Sequence, residues 1–455
     1  MIARQNVQRI LTIWLTLLPA FAQSDGVSLP AAEPENWNVF YQATSIGQYH
    51  GTFRSLYSGA NSLQDAPERD VSLTTTLFFG FRLDRNTQVY FDPEIAGGRG
   101  FSGVTGIANF PNGEMPRVAA ATPKPYIARL YVSHDFGFGT VKEAFSSGED
   151  QLAGQRPMTR YTVVAGRFTL TDFFDDNRYS HDPRTQFMGW AVMYNGAWDY
   201  PADTRGYTWG WVHEFHTRRW SVRYGSAAEP RVANGLRFDR RLFRDRGDVF
   251  EGEIRYRPGN HPGAVRLMSY LNHTDSGTYS EALQIARQTG AVPDVAAIHR
   301  PGTLKYGFGI NLEQEIRPDI GVFARLGWND GKTQSFAFTS IDRLFSGGVS
   351  VSGQRWRRPN DTAATAFTVS GISGVHAVYL ARGGLDFLIG DGGLQYGPEK
   401  VSETYYSARL WPGIFTTFDL QRIDNPAFNR ARGGLWVPSI RLHIELGRNV
   451  FKGTS

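Results

Sequence analysis

Between Lys305 and Gly331 the chain reads KYGFGINLEQEIRPDIGVFARLGWNDG, and its side chains change character at every step. Tyr306, Phe308, Ile310 and Leu312 fall on one side, with Lys305, Gly307, Gly309, Asn311 and Glu313 on the other. After Arg317, Pro318 and Asp319 the alternation resumes: Ile320, Val322, Ala324, Leu326 and Trp328 oppose Gly321, Phe323, Arg325, Gly327 and Asn329. A period of two means extended strands with one apolar and one polar face. Asn329-Asp330-Gly331 then predicts a tight turn, since these residues tolerate positive φ. A water-soluble sandwich alternates too, so this hairpin constrains the secondary structure without choosing its solvent.

Repetition of the pattern makes that choice. Leu73, Thr75, Leu77, Phe79, Phe81 and Leu83 form a second apolar row, followed by a turn at Asp84-Arg85-Asn86. Val89 and Phe91 then oppose Gln88, Tyr90, Asp92 and Glu94. Tyr126, Ala128, Leu130 and Val132 reopen the alternation. Further strands are predicted around 161–169, 186–195, 207–215, 220–224, 250–257, 265–272, 348–356, 364–370, 404–410, 414–422 and 437–446. Many have the nine to eleven or so residues that cross a bilayer at a tilt. A chain of 455 residues with this many long strands predicts a transmembrane antiparallel β-barrel of about sixteen strands (sixteen to eighteen, because 38–45 and 334–339 read either way). Trp209, Trp211, Trp328, Trp411 and Trp436 fall near strand ends, as interfacial girdles do. Helical patterns are few, and the best, 279–288 and 373–381, lie in long links.

The termini and composition set the compartment. Arg4 and Arg9 precede an apolar run from Ile10 to Ala20, and Ala20-Phe21-Ala22 offers a cleavage site before Gln23. Residues 1–22 are therefore expected to be a signal peptide, 23–36 a polar periplasmic lead-in, and 37–455 the barrel. The chain has no Cys, which excludes disulfides and lipid attachment at the cleavage site. Its net charge of +5 is spread along the sequence, so nucleic-acid binding finds little support.

A wide pore becomes selective when a loop folds inward. The segment from Asp92 to Arg129 is long, Gly-rich and follows a lumen-facing strand end. It gathers Asp92, Glu94, Arg99, Asn112, Glu114, Arg117 and Arg129. Sugars are neutral polyols gripped by planar carboxylate, amide and guanidinium groups and by rings against their C–H faces. Phe101, Phe110 and Tyr126 offer such rings. Other motifs fail on context. Gly98 to Gly103 matches a dinucleotide fingerprint but opens no helix. Asp172, Asp175, Asp176 and Asn177 lack Ca²⁺-loop spacing and read as a solvated acidic loop. His213 and His216 fall on opposite strand faces, against a shared metal. No Ser stands in a nucleophile elbow, so neither an enzyme nor a cofactor is expected.

Four stretches, Phe91–Glu114, Gly166–Trp211, Tyr306–Gly331 and Ser402–Asn429, resemble carbohydrate-selective porins of the OprB type. The resemblance implies a monomeric sixteen-stranded barrel in the outer membrane of a Gram-negative cell, set in lipid and lipopolysaccharide. It implies passive diffusion of glucose-like mono- or oligosaccharides into the periplasm. An eyelet of Arg and acidic residues would do the selecting, with Glu94 and Arg99 first and Asn112, Glu114, Arg117 and Arg129 nearby. A general or anion-preferring porin is the alternative, followed by an outer-membrane enzyme and a secreted lectin-like sandwich.

Overall fold

The computed structural model describes residues 33–114, 122–241, 244–337 and 339–447. The expected signal peptide and Arg117 lie outside the described residues. Sixteen strands are β1 (Trp37–His50), β2 (Glu68–Arg82), β3 (Thr87–Gly98), β4 (Lys124–Phe145), β5 (Gly154–Phe168), β6 (Thr208–His216), β7 (Trp220–Ala228), β8 (Arg246–Tyr256), β9 (Gly263–Ser276), β10 (Arg300–Arg317), β11 (Ile320–Asn329), β12 (Arg343–Ser352), β13 (Thr362–Gly371), β14 (Glu399–Trp411), β15 (Ile414–Asp424) and β16 (Leu435–Gly447). Each pairs antiparallel with its neighbours in sequence, and β1 closes on β16 from Phe40↔Gly447 to Gln48↔Ser439. Closure leaves no strand edge, which a wall in lipid requires.

Connections alternate in length. Turns such as 83–86, 217–219, 318–319 and 412–413 join strands at one end, and loops such as 99–123, 169–207, 277–299 and 372–398 at the other. In barrels of this class the short end is periplasmic and the long end extracellular. Phe308, Leu312 and Leu326 point outward and are exposed, while Lys305, Asn311, Glu313 and Arg325 are buried inside. The oily rows thus meet lipid and the charged rows line the bore. Trp37, Trp220 and Trp411 stand outward at the periplasmic strand ends, and Trp209 and Trp436 at the extracellular ends, forming two belts.

Three local expectations give way. Residues 186–195 are not a strand. They sit in the β5–β6 loop, with a short helix at Trp190–Met193, and Phe187, Met188, Trp190 and Val192 are all buried. The apolar density there serves an aromatic core within the bore, where Trp190 stacks on Phe110 at 5.1 Å. Asn329-Asp330-Gly331 does not close a hairpin. The Asn329 side chain instead takes the Gly331 amide and donates to Ala197 O and Ile341 O, starting a loop that turns inward. The acidic loop is solvated only in part: Asp172 and Asp176 are exposed, the former paired with Arg129, but Asp175 and Asn177 are buried, Asp175 on Arg325 and Asn311. Helices do form at Tyr279–Thr289 and Gly374–Ala381, the latter capped by Ser373.

Candidate functional site

The site is built on the polar face of β1 to β4. Simple alternation turns Gln42, Thr76, Asp92 and Glu94 inward. At β4 it fails. The ladder pairs Asp92 with Arg129 but Pro93 with Ile127, leaving Ala128 as a bulge. Pro93 has no N–H to give the ladder, and a bulge is where a strand tolerates that. The extra residue brings Tyr126 and Arg129 to the same side. Tyr126 therefore leaves the apolar row predicted for it and hydrogen-bonds through its hydroxyl to Glu94.

Loops complete the site from above. The β5–β6 loop drops Arg184 into the bore, where Nε donates to Glu114 at 2.8 Å and Nη2 to Glu94 at 2.8 Å. Its Nη1 reaches Thr76 at 3.0 Å and Gln42 at 3.2 Å. Glu94, 2% exposed, also accepts from Thr76 at 2.5 Å and from Tyr207 at 3.3 Å. Alongside, Arg129 grips Asp172 through two bonds of 2.6 and 2.7 Å and donates to Asp92 at 3.3 Å. The Arg205 guanidinium lies over the Tyr126 ring at 4.1 Å, and the Tyr126 and Tyr207 rings are 6.0 Å apart.

These groups surround a cavity of about 300 Å³. Its charged lining holds six carboxylates (Glu94, Glu114, Glu149, Asp150, Asp172, Asp182) and three guanidiniums (Arg129, Arg184, Arg205). Arg184 stands between two carboxylates, and one cation offsets only one anion. Its charge is held firmly by Glu114 and Glu94 against the pull of burial. Burial conversely pushes Glu114 up to about 7, with Glu94 and Asp182 adding to it against Arg184. Burial pushes Glu149 up to about 7 as well, with help from Asp182 and Glu445. Among the described residues no group of three His, Asp or Glu is arranged to hold a metal.

Of the residues singled out from sequence, Glu94, Glu114 and Arg129 line the cavity. Asp92 is fully buried behind Arg129. Asn112 sits one layer back, binding Ser72 and the Glu114 amide. Arg99 is exposed beyond the end of β3, with Asp70 as a charged neighbour, and does not border the cavity. Of the proposed rings, Tyr126 faces the cavity, whereas Phe110 and Phe101 are buried in packing. Arg184, Arg205, Tyr207, Glu149 and Asp150 were missed. Arg184 follows Asp182-Pro183 in a turn, where no periodicity marks its direction. The available signal was length: 169–207 is far longer than closing a strand pair requires.

Residues 60–446 match the family described as "Carbohydrate-selective porin, OprB family". No curated protein matches the sequence. Among solved structures, the high-pH form of Pseudomonas putida OprB is 13% identical, with a TM-score of 0.68 over 90% of this chain and 94% of that one. Its low-pH form is 12% identical, with a TM-score of 0.46 over 90% and 92%. The DcaP channel of Acinetobacter baumannii is 9% identical, with a TM-score of 0.47 over 90% and 96%.

Proposed function

Because this chain belongs to the OprB family of carbohydrate-selective porins, and is thus an outer-membrane channel for carbohydrates, not an enzyme, we propose that selection occurs in the Arg184–Arg129 cavity. A neutral sugar enters from the long-loop side and exchanges water for the guanidinium and carboxylate edges of Arg184, Glu94 and Glu114. The Tyr126 and Tyr207 rings meet its C–H face. Binding is weak, since a tightly held solute would plug the pore. The observation that carries this reading is the Glu94–Arg184–Glu114 triad, whose planar groups border a cavity also walled by tyrosines. No step needs a cofactor.

The finer readings follow from the same chemistry. The excess of carboxylates disfavours an anion-preferring pore. One chain encloses the whole bore, which supports a monomer, checked by light scattering in detergent. The extracellular tryptophan belt supports contact with lipopolysaccharide, and export by residues 1–22 is checked by the N-terminus of the mature protein.

Liposome swelling tests the site. Arg184→Ala and Glu94→Gln should each reduce the preference for glucose over a disaccharide by up to about tenfold, the worth of one charge-assisted hydrogen bond. Heat-modifiable gel mobility confirms that the barrels fold. If folded variants keep the parent's preference, selection lies elsewhere.

A further inference from the structure

At the periplasmic end the β4–β5 connection behaves unlike its neighbours. β10–β11 and β14–β15 are closed by residues 318–319 and 412–413 alone. Residues 146–153 instead curl back beneath β3 and β2 and reach β1 from inside the barrel. Asn38 Nδ2 lies 2.9 Å from Gln151 O and 3.1 Å from both Gly148 O and Ser147 Oγ. Glu35 and Ala153 exchange hydrogen bonds of 3.0 Å, and Arg82 donates to Ala153 O at 3.0 Å. Leu152, 2% exposed, packs where the wall is pared down to Gly80. A Cβ at position 80 would stand 2.5 Å from Asn38 Oδ1 and 3.2 Å from Leu152.

These anchors deliver the turn's tip to the cavity. Asp150 comes 3.4 Å from Arg129 Nε, and Glu149 accepts a hydrogen bond from Gln42. Both line the cavity that Arg184 and Glu114 enter from the extracellular loops. Among the described residues Glu149 makes no ion pair with Lys or Arg; its exposed carboxylate takes the Gln42 amide, whose oxygen takes Arg184, and borders the cavity.

We propose that the inturned β4–β5 turn is an exit-side filter, with Glu149 as its specificity-determining residue. The turn sets the upper size of solute that can leave toward the periplasm, and Glu149 disfavours anions there. This rests on the chain being a channel, not on which sugar it prefers.

The chain has no cysteine, so Glu149→Cys supplies its sole thiol. In planar bilayers, a cationic methanethiosulfonate should cut the single-channel conductance of this variant by a third or more and leave the parent's unchanged. The anionic reagent should react more slowly with it than the cationic one. A thiol that never reacts, or reacts without changing the current, overturns the placement. As a second arm, replacing 146–153 by Asn-Gly should raise conductance about twofold and admit trisaccharides in swelling assays. A folded replacement with the parent's conductance and size limit overturns the filter. If it does not fold, the thiol arm decides. A parent that conducts without preferring sugars sinks the proposed selection and leaves this test readable.

Discussion

Burial of Glu114 and Glu149 outweighs the pull of the single Arg184 charge, and the consequence is a titration near neutrality. Glu114 and Glu149, both pushed to about 7, are ionised at pH 8 and protonated at pH 6. Lowering the pH therefore removes negative charge from the cavity, and preference for cations should weaken. The cation-to-anion permeability ratio should fall by roughly two- to fivefold, for charges within about a Debye length of the ion path. Reversal potentials in a KCl gradient read this directly, and a ratio flat between pH 8 and 6 would refute it. The stability sign is the same. A carboxyl raised from its ordinary 4.5 binds its proton more tightly when folded. Its contribution is complete below that value and is lost as pH rises through about 7.

Among elements, the β5–β6 loop brings Arg184 into the cavity, and Arg325 on β11 is one of its buried anchors, beside Glu403 and Arg441. The Arg325 side chain, fully buried, donates to Asp175 Oδ1 at 3.1 Å, Val192 O at 2.9 Å and Ser180 O at 2.6 Å, all within the loop. Arg325→Ala leaves the buried Asp175 carboxylate, still held by Asn311 and the Asn195 amide, without its counter-charge and the Ser180 carbonyl without its donor, a loss of about 3–5 kcal/mol. The barrel ladder does not depend on that side chain, so the loop should loosen while the wall forms. Limited proteolysis should cut the variant between 176 and 187 where the parent resists, and equal resistance would show that other contacts suffice. The asymmetry between wall and loop also explains what could be read from sequence. Along β2, β10, β11 and β16 each residue meets either lipid or the bore, so alternation transmits the fold directly. Inside the bore both faces of a segment meet protein. There the apolar run 186–195 imitates a strand, and Asp175 reads as solvated because its arginine comes from β11. Glu94, Glu114 and Arg129 were legible through strand parity and proximity to it. Arg184 was not, because a turn fixes its direction, and Tyr126 was misassigned because one bulge reverses parity.

For the whole molecule the decisive property is that inside and outside are exchanged relative to a soluble protein. The seam between β1 and β16 puts this to a test within one strand. Leu442, 45% exposed, points to lipid opposite Ser45 and Thr416, whereas Glu445 three residues on points into the bore beside His443. Placing a cation at the first position sets it against acyl chains, which costs about 2–4 kcal/mol near the bilayer midplane. Placing one at the second keeps a charge in a wet, polar lumen and removes only a hydrogen bond to His443, worth about 1 kcal/mol. Leu442→Arg should thus lower the urea midpoint of liposome-inserted protein well below that of Glu445→Arg and reduce the heat-modifiable fraction. A soluble sandwich, with Leu442 in its core and Glu445 at its surface, would rank the two the same way in buffer. Only a wall facing lipid does so while the protein stays inserted, so the measurement is made in bilayers. Equal midpoints for the two variants would mean that the apolar rows do not face the membrane.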